Sequence, residues 1–388
     1  MQTQPASKVR APLKVNDMRV TIVNRALGIY FAGAERFDYE IALALQKRGV
    51  QVQMVVGKRL LSAPDHLVSG ISTHYVATPY LRDISQRVGG RVGNLILRFD
   101  QYLFEFRCAN YLRARNNADI IQVCSLPRLV RLQKELQVPV VVWFPGVPSA
   151  KHLSQIRQAA AVVSHGDVFW HVRDTFRKDA VCVPQGLDLN AFRCRPTNLR
   201  QRLGIREAPV VLYVGRLAPI KNIPLLLQAF ALVREKVPQA RLILVGAGPL
   251  YAEVEKWIHK MNLSSAAHLA GFINDNEALA EYYSIADVFA LSSSYDGDPN
   301  VIREAMSCGL PVVATRVGGV PLLIQDGVNG FLVENGDAEA LARGLVDLLR
   351  DSQMRALMGA NNRSKAEGFS WDLGAQRLIE LYGDILRR

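Results

Sequence analysis

The chain has 388 residues, length for about two domains, and its 49% hydrophobic content is that of an ordinary globular protein. No apolar run approaches the ~18 residues of a membrane-spanning helix, and the cysteines (Cys108, Cys124, Cys182, Cys194, Cys308) show no paired spacing, which argues for a reducing compartment and against a Cys-x-x-Cys metal site. The net charge of +12 belongs to the first half: residues 1–195 hold 27 Lys and Arg against 14 Asp and Glu, residues 196–388 hold 20 against 21, an asymmetry that bears on partners rather than fold.

Residues 1–17 are polar and lack the apolar core of a signal peptide, so they read as a disordered leader. A buried strand at 18–24 and a loop at 25–32 precede a helix that opens at Gly33 and is stopped by Gly49. With a strand at 50–56 this is a βαβ unit, which implies a parallel sheet. Another strand is expected at 71–77.

Residues 80–115 carry seven arginines, at 82, 87, 91, 98, 107, 113 and 115, against Asp83, Asp100 and Glu105, interleaved at helical spacing with Val88, Val92, Leu95, Ile96, Phe99, Tyr102, Leu103, Phe106 and Leu112. The pattern predicts a basic amphipathic helix or helix pair. Contact with a membrane surface or an anionic acceptor is one reading; a core helix with a solvated arginine face is the other.

Strands follow at 119–124 and 139–144 with a short helix between them, and His165 stands at a strand end in VVSHG, 162–166. A strand and turn occupy VCVPQGLDLNAF, 181–192, and the polar residues 196–208 read as a linker.

The second half opens with a strand at 209–214, the loop GRLAPIKN, 215–222, and a helix over 223–235. Arg216 and Lys221, on a loop feeding a helix start, form a natural site for a diphosphate. A strand at 241–245 runs into Gly246 and Gly248, another at 268–271 into Phe272, and a helix with Tyr282 and Tyr283 leads to a strand at 286–291. In SSSYDGDPNVIREAMSCGLPVVATRVGG, 292–319, Asp298 is expected as N-cap with Pro299 at the first helical position, Gly309 as helix stop, and 310–315 as a buried strand. Asp296 and Glu304 are acidic residues that this strand–helix–strand unit leaves unexplained.

That stretch resembles the signature of the family 4 retaining glycosyltransferases of the GT-B fold, the glycosyltransferase group 1 type: an acidic residue, seven positions, Glu, then Ala-Met, a small residue, Gly, x, Pro-Val-Val-Ala-Thr and Gly-Gly. Asp296 stands where the family usually has Glu, and Glu304 matches. The loop 215–222 is similar to the family's second signature, and 181–192 to its turn Pro-Asn-Gly-x-Asp-x-x-x-Phe, with Gln185 for Asn. Pro145 stands where the family's donor-facing His is expected, leaving His165 as its stand-in, and Leu322 replaces a Glu.

The resemblance implies an α/β fold of two doubly wound Rossmann-like domains facing across a cleft. The expected division is an acceptor-binding domain at 18–195, the linker, a nucleotide-sugar domain at 209–370, and a helix at 371–388 crossing back to the first domain. The activity implied is retaining, metal-independent transfer of a hexose from a nucleotide diphosphate sugar, the co-substrate, to a saccharide, lipid-linked or other hydroxyl acceptor in cell-envelope polysaccharide or glycolipid synthesis. No further cofactor, metal or nucleic acid is expected. The setting expected is cytoplasmic, and the basic first half fits an acceptor at the inner membrane face, with 80–115 as the candidate contact to an anionic surface.

By the same resemblance Arg216 and Lys221 stabilise the departing diphosphate, Glu304 holds the ribose, and Asp296 the donor sugar hydroxyls. Gly33, Gly215, Gly248, Gly297, Asp298, Pro299, Asn300, Gly318 and Gly319 line the donor, with Phe272 near the base. The alternatives are a GT-B nucleotide-sugar epimerase, which would need no acceptor, and a non-catalytic homologue. A nucleic-acid binder, suggested by the charge, finds no reading helix or stacking motif.

Overall fold

The computed structural model describes residues 14–29, 33–115 and 117–388. Residues 1–13 of the expected leader and 30–32 of the loop before Gly33 lie outside the described residues. The end of the leader is ordered, against expectation. Val15–Asp17 form a 3-10 turn, and the Gln51 side chain donates to Asn16 O at 3.2 Å. Asn16 lies so close to Gly49 that a Cβ there would stand 2.1 Å from Asn16 Oδ1, and Gly49 holds φ at 94°. The φ value is what calls for glycine, since the end of the Asn16 side chain could move aside.

The first unit begins β1 (Arg19–Asn24), α1 (Gly33–Lys47), β2 (Gln51–Arg59) and β3 (Ser72–Thr78). Residues 80–115 are a helix pair, α2 (Arg82–Val88) and α3 (Gly90–Arg115), separated where Gly89 and Gly90 take φ of 64° and 55°. Then come β4 (Ile120–Cys124), α4 (Leu132–Leu136), β5 (Val140–Phe144), α5 (Leu153–Gln158), β6 (Ala161–Ser164), α6 (Gly166–Thr175) and β7 (Val181–Cys182). All seven strands are parallel, in the order β3-β2-β1-β4-β5-β6-β7. Neighbouring residues of a strand point to opposite faces, and both faces are covered: Val141 and Trp143 pack with Phe37 and Ile41 of α1, Val140 and Val142 with Phe104 and Cys108 of α3. That is why β5 is apolar at every position.

The second unit holds α7 (Leu199–Arg202), β8 (Val210–Val214), α8 (Ile223–Lys236), β9 (Arg241–Val245), α9 (Tyr251–Lys260), β10 (Ala267–Gly271) and α10 (Asn276–Ile285). It continues with β11 (Val288–Leu291), α11 (Asn300–Ser307), β12 (Val312–Thr315), α12 (Val320–Leu323), β13 (Gly330–Val333), α13 (Ala338–Arg350) and α14 (Ser352–Ala366). Its six parallel strands run β10-β9-β8-β11-β12-β13.

Residues 196–208, expected as a linker, are instead packed on this second unit. Arg200 donates to Ile285 O at 2.6 Å and pairs with Asp287 at 2.8 Å, Thr197 bonds Glu281 at 3.0 Å, and Leu199 is buried. Phe192 is fully buried in the same core, and Ser307 Oγ donates to its carbonyl.

α15 (Trp371–Arg387) completes the first unit. Leu378 and Tyr382 enter the core beside Phe37 and Ile41, Tyr382 Oη donates to Gln122 Oε1 at 2.6 Å, and Arg48 holds Asp372 at 2.5 Å. The first unit therefore comprises the described residues to Gly186 with Trp371–Arg388, and the second comprises Leu187–Ser370. Each is a doubly wound, Rossmann-like α/β unit.

Candidate active site

In the second sheet the strand order reverses between β8 and β11. Loops leaving neighbouring strands at such a point diverge to opposite faces and leave room at the strands' carboxyl ends. The loop after β8 carries Gly215, Arg216 and Lys221; the loop after β11 carries Asp296 to Pro299.

The first loop is fixed by its own backbone against the loop after β9. Gly215 N donates to Val245 O at 3.0 Å, Leu217 N to Ala247 O at 2.8 Å, and Leu250 N to Leu217 O at 3.0 Å. A Cβ at Gly246, where φ is 144°, would stand 1.9 Å from Gly215 O, and one at Gly248 2.4 Å from Leu217 O. In this structure both glycines are demanded by main chain meeting main chain.

Arg216 is exposed and forms no ion pair with a described residue. Its carbonyl accepts from Tyr213 Oη at 3.2 Å. Lys221 Nζ pairs with Asp296, and the two side chains are 19% and 15% exposed. The buried Tyr213 lies within reach of both charged loops. Burial pushes its phenol up, the charge of Asp296 adds to that, and Arg216 opposes it.

Three loops are laced together around the pair. Ser292 Oγ donates to Lys221 O at 2.9 Å, Ser294 N to Ile220 O at 2.8 Å, Thr315 Oγ1 to Ser293 O at 2.6 Å, and Gly319 N to Asp296 O at 2.8 Å. The Gly319 amide, expected in a ligand cradle, thus holds the Asp296 loop. Gly318 turns that corner with φ of 50°.

α11 starts one residue later than expected. Pro299 is its N-cap and Asn300 its first residue. Arg303 takes Asp298 as an ion-pair partner, and its guanidinium lies 5.3 Å from the Phe369 ring centre. Arg303 is only 7% exposed, and its Nε has no hydrogen-bond partner. Glu304 is 4% exposed and accepts from the buried Tyr283 Oη at 2.8 Å. Gly297 is half-buried, Phe272 stands exposed directly after β10, and Leu322 is exposed on α12. Among the described residues no group of His, Cys, Asp or Glu is placed to hold a metal ion.

The structure thus brings Lys221, Asp296 and Gly319 together and sets Arg216 beside them. Sequence reasoning missed Tyr283, Arg303, Tyr213 and Ser292. Arg303 alone left a trace, as a second charge next to Glu304 in a helix whose neighbours are buried. The others act across contacts that no local pattern shows.

In the first unit, His165 precedes α6 and is buried, its ring 5.5 Å from Phe37 and 5.7 Å from Trp143, stacked on both. Gly33 opens α1, and a Cβ there would meet nothing within 4 Å. Pro145 is half-buried directly after β5.

Residues 196–365 match the family model described as glycosyl transferases group 1. Curated relatives align over about half of the chain. The sulfoquinovosyl transferase SQD2 of Arabidopsis thaliana is 36% identical over 194 residues, 48% of this chain and 36% of that protein. A GDP-mannose-dependent alpha-(1-6)-phosphatidylinositol monomannoside mannosyltransferase of Mycolicibacterium smegmatis is 32% identical over 210 residues, 51% of this chain and 55% of its own length. The chain spans about half the length, or less, of these relatives. Among solved structures, sucrose-phosphate synthase from Thermosynechococcus elongatus superposes with a TM-score of 0.76 at 23% identity, covering 94% of this chain and 98% of that one. Anabaena HepE in complex with UDP gives 0.74 at 22%, with the same coverage. The fold is GT-B, and the group 1 resemblance read from the sequence holds over the second unit.

Proposed function

We propose that the chain is a retaining, metal-independent glycosyltransferase of family 4 that moves a hexose from a nucleotide diphosphate sugar to an acceptor hydroxyl. The observation that carries this reading is the meeting of Lys221 and Asp296, with Arg216 beside them, at the switch point of a sheet whose residues match the group 1 model. Two cations there neutralise a departing diphosphate, and the exposed guanidinium offers a bidentate grip on phosphate oxygens. Asp296 accepts from donor sugar hydroxyls and orients Lys221. Glu304, midway along α11, serves the ribose, and the first amides of that helix face the anion. The role of the family's donor-facing His is proposed for His165.

In the step proposed, the bond from the anomeric carbon to the phosphate oxygen breaks and a bond to the acceptor oxygen forms on the same face. The acceptor's proton passes to the departing phosphate, which leaves as the nucleoside diphosphate. UDP and UDP-glucose bound to HepE, and the GDP-mannose dependence of the mycobacterial relative, support a nucleotide sugar as donor. The pathway proposed is cell-envelope polysaccharide or glycolipid synthesis at the cytoplasmic face of a membrane.

The test is a panel of UDP-, GDP-, ADP- and TDP-sugars, read by thermal shift and slow donor hydrolysis with and without a chelator. Stabilisation by one donor, with free nucleoside diphosphate appearing in either condition, supports the reading. Silence across the panel refutes it, and activity lost to the chelator refutes metal independence.

A further inference from the structure

We infer that the outward face of α2 and α3 docks on the surface of an anionic lipid bilayer. α3 has two apolar faces. One, with Phe104, Cys108, Ala109 and Leu112, is buried on the first sheet. The other, with Val92, Leu95, Phe99, Tyr102 and Phe106, steps by three and four residues along the opposite side and is 45–66% exposed throughout. Ile84 and Val88 of α2 are exposed as well, at 51% and 52%. Single exposed apolar residues are ordinary; a stripe running four turns of one helix is not.

The charge that α3 shows on this face is one-sided. Both acidic residues of α3 are turned inward and neutralised. Asp100 is fully buried, taking Arg25 at 2.7 Å, Thr78 Oγ1 at 2.7 Å and Tyr80 N at 2.9 Å. Glu105, 1% exposed, takes Arg128 at 3.2 Å. Arg87, Arg91 and Arg98 remain exposed and form no ion pair with a described residue. On α3, Arg91 and Arg98 lie along one edge of the apolar stripe, since both fall about 100° behind its residues 92 and 99.

An apolar stripe edged by unpaired guanidinium groups matches an interface where acyl chains lie below anionic headgroups. A second copy of this chain fits less well, because the same arginines would face each other across the pair. No described helix is long and apolar enough to cross a membrane, so the contact is one of lying on the surface. The inference does not depend on the donor site.

The test is co-sedimentation of the full chain with vesicles of phosphatidylcholine alone and of phosphatidylcholine with phosphatidylglycerol. Binding is expected to the mixed vesicles only and to weaken with salt. Each surface cation contributes a factor of roughly five, so R91S/R98S should lower affinity about 30-fold. L95S/F99S should lower it at least ~50-fold, through lost apolar burial. All four side chains are exposed, so the melting temperature and its shift by nucleotide should stay unchanged, which separates this test from that of the donor site. Equal binding to both vesicle types, no binding to either, or unchanged binding by both variants would overturn the inference. A dimer lost in L95S/F99S, without vesicle binding in the parent, would assign the stripe to a second copy and overturn it as well.

Discussion

Replacing Lys221 by Met leaves Asp296 half-buried without its cation. Exposures of 19% and 15% place the pair between two regimes. Losing a surface pair costs at most ~1 kcal/mol, and breaking a buried one about 3–5 kcal/mol. About 2 kcal/mol is therefore expected for K221M. In a unit the size of Leu187–Ser370, that lowers the melting temperature by roughly 4–8 °C. Most of this cost is the stranded carboxylate rather than the lost bond. The double variant K221M/D296N should therefore recover more than half of it. The assay is thermal denaturation of the parent, both single variants and the double, each with and without UDP. Ligand stabilisation should shrink in K221M even where stability is restored, because the phosphate has lost a cation. A K221M chain as stable as the parent, or a double variant no more stable than K221M, refutes the reasoning about the pair.

Arg216→Ala removes an exposed side chain that forms no ion pair with a described residue, so stability should hold while kcat/KM falls about 10- to 100-fold through loss of a charge-assisted hydrogen bond; unchanged turnover with the preferred donor counts against the diphosphate role. Gly246→Ala sets a Cβ 1.9 Å from Gly215 O, which forces main chain apart and should cost ~3 kcal/mol or more; an unchanged melting temperature would show that the two loops do not meet. Asp38 is wholly buried, and burial pushes its carboxyl up to about 7, the bond from Asn24 at 2.7 Å restraining the rise and the charge of Glu35 adding to it. Its folded value thus lies above the ~3.9 of an unfolded chain, so the folded form holds the extra proton and stability falls as pH rises from ~4 to ~7, by up to about 4 kcal/mol. Asp38→Asn should remove that slope in denaturant titrations, and parallel pH profiles for the two chains would refute it.

What could be read from the residues was whatever is encoded locally. β5 and β8 are continuously apolar because both their faces are covered, and that leaves a plain trace. The cations of the 215–222 loop and the acids of the 296–304 stretch were legible as ligands of a donor. That Lys221 and Asp296 bind each other was not, since 75 residues separate them. Nor was the partnership of Tyr283 with Glu304, 21 residues apart on different helices. The misread linker has the same cause. Arg200 and Arg202 look like solvated charges until Asp287 and Glu281 are brought to them by β11 and α10. β2 runs three residues beyond its expected end because Gly57, Lys58 and Arg59 pair with Val76, Ala77 and Thr78, a register set by the neighbouring strand and not by apolar content. In α3, period alone could not say which of two apolar faces would be covered.

The return of α15 to the first unit has a consequence for synthesis. A nascent chain emerges in order, and residues 187–370 come out before Trp371–Arg387. Throughout that interval the earlier-made unit lacks Leu378 and Tyr382, and the side of its sheet bearing Phe37, Ile41 and Trp143 is incompletely roofed. The later-made unit, contiguous in sequence, is the first that can finish folding, at the ordinary pace of translation. An interrupted product that stops near Ser370 would therefore carry a sound second unit attached to a sticky, unfinished first one, and quality-control chaperones would meet the protein by that face.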